Sequence, residues 1–301
     1  MLKDHIFRIS LQKGPATIFV FGDLQFGSSS FVEEAWDQFV DDFKSTPNAW
    51  ALGLGDYEDW LRPSMRAPLY ASLTKDSSAR FQLDDKTKRD QDRGIFKMMS
   101  FLEGRLIGLH SGHHEWDFSD GTNSTQRLCS LLRAPYLGWM ASTRLVFHGV
   151  GLSSRGTVNP FTVLSMHGSG NSRTTSSDVR WFESNIVPAW DADFFVKGHS
   201  AKAVEWVAFT KNKVRRVGPP GIETVAPRCM AVGGFCEGYT NGTDFSYVER
   251  SGFLPQPTSW GKIKVSLSCK ASLRQQKGLL GKKTKSLFIE PSICGPQLNR
   301  V

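Results

Sequence analysis

Short apolar runs, each ending in a glycine or a polar residue, recur along the first two thirds of the chain and predict buried strands. The predicted strands are Thr17–Gly22, Trp50–Leu54, Arg105–Leu109, Thr143–His148, Phe161–Met166 and Asp193–Val196. Between them, apolar residues at helical spacing predict a helix that opens at Ser30, with Glu33 completing a capping box. Further helices are predicted over Gln91–Leu102, Thr125–Leu132 and Ser177–Ile186. This alternation of strands and helices is typical of an α/β fold.

Two regions interrupt the alternation. The polar stretch Leu61–Arg93 contains Pro63 and Pro68 and is interpreted as a long loop or insertion. After Ala201 the pattern favours strands without a convincing helix. We expect residues 203–260 to complete a second sheet and residues 261–301 to extend or cover it. The strands predicted here are Val204–Phe209, Arg228–Gly233, Ile263–Leu267 and Ser286–Ile289.

The composition excludes several classes of protein. The chain has 301 residues, of which 40% are hydrophobic and 12% aromatic, and this excludes a wholly disordered chain. Nowhere does it contain the roughly 18 consecutive apolar residues of a spanning helix, and its first residues lack the apolar core of a secretory signal. The five cysteines form no CxxC pair, which argues against a zinc ribbon or a disulfide framework. We therefore predict a cytoplasmic protein without a membrane partner.

The positive charge is concentrated at the C-terminus. The net charge is +8, and residues 261–301 hold nine basic side chains against the single acid Glu290, so the preceding residues are balanced. We therefore divide the chain into a domain over 1–260 and a basic extension over 261–301. A basic segment attracts phosphate backbones, although a merely solubilising surface remains the alternative. The residues predicted to contact nucleic acid are Lys277, Lys282, Lys283 and Lys285.

Carboxylates and imidazoles follow five of the predicted strands at the point where each strand ends. The five strings are Gly22-Asp23-Leu24-Gln25, Gly55-Asp56, Gly112-His113-His114-Glu115, His167-Gly168 and Gly198-His199-Ser200-Ala201. Open α/β folds bind ligands at the carboxyl ends of their strands. Mixed carboxylate and imidazole ligands suit Mn, Fe, Zn or Ni, and two such ions about 3.5–4 Å apart can activate water and clamp a phosphoryl group.

The order of these strings resembles that of the calcineurin-like metallophosphoesterase superfamily, in which DxH, GD, GNH(D/E), H and GHxH follow one another. The resemblance covers roughly residues 16–202, and the sequences HGSG and ADFFVKGHS are similar to those of phage-encoded members. The resemblance implies a four-layer αββα sandwich with two mixed sheets. It also implies metal-dependent hydrolysis of phosphoesters.

The resemblance also implies a role for each matching residue. Asp23 would bind a first metal, and Asp56 would bridge both metals. His113 stands where the superfamily has a metal-binding asparagine, and His167 and His199 would complete the second site. The catalytic residues implied are His114, which would protonate the leaving oxygen, and Glu115, which would support it.

Two residues depart from the pattern, and both departures weaken the first metal site. Gln25 and Ala201 stand where the superfamily has histidine ligands, which leaves Gln25 as a neutral oxygen ligand. Asp59 would contribute a further oxygen, and such a site favours Mn or Mg. We therefore expect one or two divalent metals per chain, the second site firmly held and the first weak or absent. Mn is the first expectation, with Fe, Zn, Ni and Mg left open.

Three functions are compatible with these residues. The leading prediction is a phosphodiesterase or nuclease. The second is a degenerate, non-catalytic relative that binds nucleic acid, since Gln25 and Ala201 remove two ligands. The third is a structural protein with a metal staple, which ranks last because no cysteine lies near the motifs. For His5, His110 and His148 we retain a structural role, and Gly168-Ser169-Gly170 is either a phosphate cradle or a plain turn.

Overall fold

The computed structural model describes residues 3–11, 14–60, 63–74, 77–148, 161–169, 175–200, 203–214, 221–239, 257–270 and 284–295. Its strands are β1 (Lys3–Ser10), β2 (Ala16–Phe21), β3 (Ala49–Gly53), β4 (Leu106–His110), β5 (Tyr136–Gly138), β6 (Met140–His148), β7 (Phe161–Met166), β8 (Phe194–Lys197), β9 (Val204–Val207), β10 (Lys211–Val214), β11 (Ile222–Val225), β12 (Arg228–Ala231), β13 (Trp260–Lys270) and β14 (Thr284–Cys294). Its helices are α1 (Glu33–Ser45), α2 (Pro63–Ser72), α3 (Ser78–Arg93), α4 (Ile95–Met99), α5 (Ser124–Leu131) and α6 (Thr175–Trp181). A 3₁₀ turn (Ser100–Leu102) follows α4, and a π turn (Phe182–Ile186) follows α6.

Most of the strands form two sheets of six. The first sheet has the order β1-β6-β7-β8-β12-β9, and the second has the order β14-β13-β2-β3-β4-β5. Each sheet mixes parallel and antiparallel neighbours: β7 is antiparallel to β6 but parallel to β8, and β2 is antiparallel to β13 but parallel to β3. The prediction of an α/β fold with two mixed sheets is confirmed. The remaining strands, β10 and β11, pair with each other.

The two sheets pack face to face over a shared apolar core. Ile9, Phe147 and Val163 of the first sheet belong to the same buried cluster as Ile18 and Ile263 of the second. Because successive side chains of a strand point to opposite faces, the neighbours of Ile18 in β2 face the other way. This leaves an apolar surface on the outside of each sheet, which a further layer must cover.

Helices form the two outer layers. Phe19 and Phe21, on the outer face of β2, pack with Trp36, Phe39 and Phe43 of α1, and their rings lie 5.1–5.9 Å apart where they meet. On the outer face of the first sheet, the π turn that follows α6 joins a separate buried cluster. Helix, sheet, sheet and helix therefore follow one another, which confirms the four-layer αββα prediction.

The first helix begins later than its capping signature predicts. The helix starts at Glu33 after Val32, which makes no side-chain capping bond, so the capping box at Ser30 is wrong. Phe31 is instead bridged to Cys236, and the Val32 amide donates to the carbonyl of Phe235 at 2.8 Å. Pairing with a distant segment thus replaces the local cap.

The polar stretch Leu61–Arg93 is not a loop, because it contains α2 and α3. The buried residues of α3 are all polar or charged, so the hydrophobic periodicity that reveals most helices is missing here. These residues are Arg80, Asp84, Thr87 and Gln91. The predicted helix over Gln91–Leu102 is also divided, since α3 ends at Arg93 and α4 begins at Ile95.

The C-terminal strands join a different sheet from the one expected. β9 and β12 do lie beside β8, but β13 lies between β14 and β2 in the second of the two sheets. The expectation that residues 261–301 would extend the sheet of β9 and β12 is therefore wrong. The alternative that they would cover it agrees with the place of Ile263 and Val265 in the core between the two sheets. The division of the chain at residue 260 stays a prediction. Lys277, Lys282 and Lys283 lie outside the described residues, and Lys285 lies in β14 without a described side chain.

Within the described parts of the chain, none of the helices combines the length and apolarity needed to cross a bilayer.

Candidate metal centre

All five sequence strings meet at one edge of the sandwich. Asp23, Asp56 and His113 follow the parallel strands β2, β3 and β4, while His167 and His199 follow the parallel strands β7 and β8. Because parallel strands end at the same edge, each sheet presents its polar residues together. Ion-pair contacts then join the two sets, since His167 and His199 of one sheet reach Asp56 of the other.

The loops that carry these residues are backbone-strained. Asp23, Gln25, Asp56 and His199 have φ angles of 49°, 46°, 52° and 46°, in the left-handed region that residues other than glycine rarely adopt. Such conformations cost about 1–3 kcal/mol each and cluster at functional sites. Here they are held by backbone hydrogen bonds, in which the Asp23 amide donates to the Gly55 carbonyl and the Gln25 amide to the Asp56 carbonyl, both at 2.9 Å.

Two glycines allow the loops to approach one another. A Cβ atom on Gly112 would lie 2.1 Å from Oδ1 of Asp56, so any side chain there would displace the carboxylate. Gly55 has a φ of 104°, and its Cβ would lie 2.7 Å from Nδ1 of His167. The glycines in these strings are therefore needed for the close packing of the site residues.

Four side chains form a compact group of potential metal ligands. One ligand atom from each of Asp56, His113, His167 and His199 lies within 4.8 Å of the others. Nε2 of His167 is 3.0 Å from Nδ1 of His113 and 3.3 Å from Oδ2 of Asp56, while Nδ1 of His199 is 4.0 Å from the same oxygen. Among the residues that the structure describes, this is the one group of three or more such side chains.

The group fits a divalent cation. Oδ1 of Asp56 accepts a hydrogen bond from the His114 amide at 2.9 Å, but Oδ2 is buried and accepts none. Nδ1 of His167 lies 2.7 Å from the Leu54 carbonyl and donates to it, which leaves Nε2 as the lone-pair nitrogen facing the group. A buried carboxylate oxygen without a donor, beside three imidazoles, is the ligand set that Mn, Fe, Zn or Ni prefers.

The charges of the group are strongly coupled. Burial, with the neighbouring His167 and His199, lowers the pKa of His113 to about 4, so this ligand is neutral near pH 7. Burial alone would lower the pKa of His167, but the negative charge of the Asp56 carboxylate raises it to about 9. Burial likewise opposes ionisation of Asp56, yet the charge of His167 holds the pKa of that carboxyl well below its usual range. His167 must therefore lose a proton to ligate a cation.

The residues predicted for the first metal site lie beside this group but outside it. Oδ2 of Asp23 accepts a hydrogen bond from the His199 amide at 2.9 Å, and its Oδ1 is 3.8 Å from Nδ1 of His199. The side-chain oxygen of Gln25 lies 3.9 Å from Sγ of Cys236, and this sulfur, with its single thiol proton, is closer to the Leu24 carbonyl at 3.5 Å. Metal binding by Asp23 and Gln25 stays a prediction, and Ala201 lies outside the described residues.

His114 also lies outside the four-ligand group, and it contacts a carboxylate. Its Nδ1 is 2.6 Å from Oδ1 of Asp59. The partner that we expected, Glu115, instead hydrogen-bonds Ser111 and Thr125, and burial raises its pKa to about 7. The structure therefore places Asp59 beside the imidazole, and the supporting role of Glu115 stays a prediction.

The helix α3 braces the loop that carries His113 and His114. Asp84 accepts hydrogen bonds from Nε1 of Trp116 at 2.7 Å and from the Ser119 amide at 2.8 Å. Farther along the helix, the Gln91 amide donates to the Ser124 carbonyl at 2.8 Å and to Glu58 at 2.7 Å. The insertion thus fixes the loop between β4 and α5 through buried polar contacts.

Replacing Asp84 with alanine should lower the free energy of unfolding by about 1–3 kcal/mol, because two buried donors lose their acceptor. Urea denaturation of the variant against the wild type measures this effect. Asp85→Ala, at an exposed position one residue on, serves as the matched control and should change stability little. Equal urea midpoints for Asp84→Ala and Asp85→Ala would show that the contacts of Asp84 with the loop do not contribute to stability.

Three residues near the centre were missed by sequence reasoning. Sγ of Cys236 lies 3.5 Å from the Leu24 carbonyl, so a cysteine does lie beside the motifs, and burial raises the pKa of this thiol to about 12. Lys197 is buried directly before Gly198, and Trp139 lies beside His113. The lysine that ends the apolar run of β8 was the available signal. Nothing local distinguishes the cysteine and the tryptophan.

Together the layers and the ligand group define an α/β sandwich with a candidate divalent-metal centre at one edge. No family model and no curated protein matches this sequence.

Several solved structures show a distant likeness. A calcineurin-like phosphoesterase, YfkN from Bacillus subtilis, shares 12% identity over 92% of this chain and 90% of that chain, with a TM-score of 0.36. Vps29 from Chaetomium thermophilum shares 10% identity over 94% and 98%, with a TM-score of 0.32. A protein serine/threonine phosphatase from Saccharomyces cerevisiae shares 13% identity over 98% and 85%, with a TM-score of 0.29. At these identities and TM-scores, the likeness carries no inference about the function of this protein.

Proposed function

We propose that the protein is a metal-dependent phosphoester hydrolase, and more specifically a phosphodiesterase or nuclease. The observation that carries the proposal is the four-ligand group Asp56, His113, His167 and His199, with the His114–Asp59 pair on the same loops. The order of the five strings along the chain, which resembles that of metallophosphoesterases, gives independent support.

The four ligands would hold the cation, and His114 would handle the proton. A divalent cation bound there would polarise a phosphoryl oxygen and lower the pKa of an attacking water. Asp59 accepts from Nδ1 of His114, which fixes the ring, and Nε2 of the same ring would donate a proton to the leaving oxygen. The backbone amide of His114 also donates a buried hydrogen bond to Oδ1 of Asp56, which positions the proton donor next to the ligand group.

The chemistry of the four ligands favours some cations over others. Three imidazoles and a single carboxylate favour Mn, Fe, Zn or Ni over the oxygen-seeking Mg. Manganese is the cation we propose for the test below. The preference for nucleic acid rests on the excess of positive charge in residues 261–301, which would attract a polyanionic substrate.

The first test is Mn-dependent hydrolysis of bis-p-nitrophenyl phosphate by the wild type and by His114→Ala. We expect turnover by the wild type and a loss of about 10²–10⁴-fold in the variant, because general acid catalysis is worth that much. Metal content, measured by elemental mass spectrometry, should be unchanged because His114 lies outside the ligand group. His148→Ala, at an exposed position at the end of β6, is the matched control. Loss of metal in His114→Ala would overturn the role of proton donor.

A second candidate function is a non-catalytic protein that binds nucleic acid. The observation that favours it is the sequence of the first metal site, where Gln25 and Ala201 stand in place of two histidine ligands. Two bound metals per chain, together with turnover, would exclude this alternative. If the protein retains a single metal but hydrolyses no bis-p-nitrophenyl phosphate with Mn, Ni, Fe, Zn or Mg, the non-catalytic function would be favoured.

A further inference from the structure

A half-exposed tryptophan borders the candidate metal centre. Trp139 lies between β5 and β6 and remains 49% exposed, whereas Trp36, Trp116 and Trp260 are at most 4% exposed. Its ring centroid is 5.3 Å from that of His113, at an interplanar angle of 53°. An indole thus lies next to a metal-ligand candidate with about half of its surface open to solvent.

Backbone hydrogen bonds to residues of the candidate metal centre and its neighbouring loop hold the segment that carries Trp139. The carbonyl of Trp139 accepts a hydrogen bond from the amide of the ligand His167 at 3.3 Å. The preceding carbonyl, of Gly138, accepts from the amide of Ser111 at 2.9 Å, and Ser111 directly precedes the glycine of the third string. The backbone on which the tryptophan is mounted is therefore attached to both sheets at the site edge.

Packing against the histidine does not by itself account for the tryptophan. A large aromatic side chain contributes most when it is buried, and this one leaves about half of its surface free. An aromatic face open beside a catalytic centre is suited to stack on a planar ring, and stacking tolerates any base because every base has a π-face. The exposed indole is therefore available to a substrate group attached close to the phosphorus.

We propose that Trp139 is a specificity-determining residue that stacks on a planar aromatic group of the substrate, a nucleobase or an aryl group esterified near the reacting phosphate. The proposal rests on the phosphoester hydrolase function proposed above and names the class of ester on which it acts. Esters with only aliphatic or sugar groups would lack this contact.

Calorimetric titration in the presence of Mn tests the proposal with thymidine 5′-monophosphate, 4-nitrophenyl phosphonate and ribose 5-phosphate. Trp139→Ala should weaken the binding of the aromatic ligands by about 5- to 100-fold, as expected for the loss of one stacked ring, and should leave ribose 5-phosphate unaffected. Trp139→Phe should restore most of the affinity. Phe81→Ala, which removes a comparably exposed aromatic ring from α3, is the matched control and should change nothing.

Hydrolysis adds a second readout. With bis-p-nitrophenyl phosphate, Trp139→Ala should raise KM with little change in kcat, because stacking contributes equally to bound substrate and transition state. An equal loss of affinity for all three ligands would overturn the proposal and show a structural role beside His113. Unchanged affinities, or a wild type that does not prefer thymidine 5′-monophosphate or the aryl ligand over ribose 5-phosphate, would also overturn it. A wild type that binds the aromatic ligands through Trp139 but hydrolyses nothing would refute the hydrolase and leave the stacking role intact.

Discussion

Replacing Asp56 with asparagine should abolish both tight metal binding and hydrolysis. The substitution removes the only carboxylate of the four-ligand group and replaces the buried, unpartnered Oδ2 with a neutral group. Loss of a residue that merely supports a ligand costs roughly 10–100-fold in metal affinity, so removal of the ligand itself should cost at least about 100-fold. The asparagine oxygen can still accept the hydrogen bond from the His114 amide, so the loop itself should be preserved. Titration with Mn, followed by elemental mass spectrometry, measures the effect.

Asp59→Asn is the matched control for this experiment. Asp59 lies three residues farther along the same loop and contacts His114 rather than the four-ligand group. This variant should keep its metal and lose turnover, because the imidazole loses its orienting carboxylate. If Asp56→Asn binds Mn as tightly as the wild type does, the ligand group has been misidentified.

Replacing Asp178 with alanine should destabilise the protein by about 3–5 kcal/mol, the cost of leaving a buried charge without its partner. Lys197 is only 1% exposed, and its ammonium lies 2.5 Å from Oδ1 of Asp178. The other oxygen of Asp178 accepts from the Ser200 hydroxyl at 2.7 Å, next to the ligand His199. Urea denaturation monitored by tryptophan fluorescence gives the change in the free energy of unfolding. The affinity for Mn should fall as well, since the loop of His199 loses its attachment.

The double variant Asp178→Ala, Lys197→Met provides the control. It removes both charges, so it should recover a large part of the lost stability. A double variant that is no more stable than Asp178→Ala would show that the loss comes from packing or from the Ser200 hydrogen bond. The buried ion pair would then not be the cause.

Local patterns predicted the α/β alternation and the edge of the site, whereas the four layers were implied by the resemblance of the motifs to a known superfamily. Apolar runs followed by Asp or His identify strands and the loops at their ends, and this suffices to bring Asp56, His113, His167 and His199 together. Contacts between distant segments were not predictable in the same way. The contact between His114 and Asp59 is an example, since the two residues lie far apart in the sequence and only the fold brings them together.

The helix α3 shows why polar interfaces escape prediction. Its buried face consists of residues that normally face solvent, and donors and acceptors on distant segments make their burial favourable. The strand β1 escaped for another reason, because Lys3–Ser10 lacks a regular alternation: three polar residues precede the adjacent apolar residues Ile6 and Phe7. Its pairing partner β6 lies far along the chain. Each of these elements depends on a partner that lies far away along the chain.

The position of β13 has a consequence for the order in which the protein forms. β2 carries Asp23 at its end, yet one of its two neighbouring strands is β13, so Val20 pairs with Gly261 across most of the chain. Pairing between such distant segments is slow, because the intervening chain must first be closed into a loop. During synthesis, β2 therefore lacks one of its neighbours until β13 has emerged from the ribosome. The metal centre is in this sense a late product of biosynthesis, and the nascent chain presents an open strand edge that chaperones would have to protect.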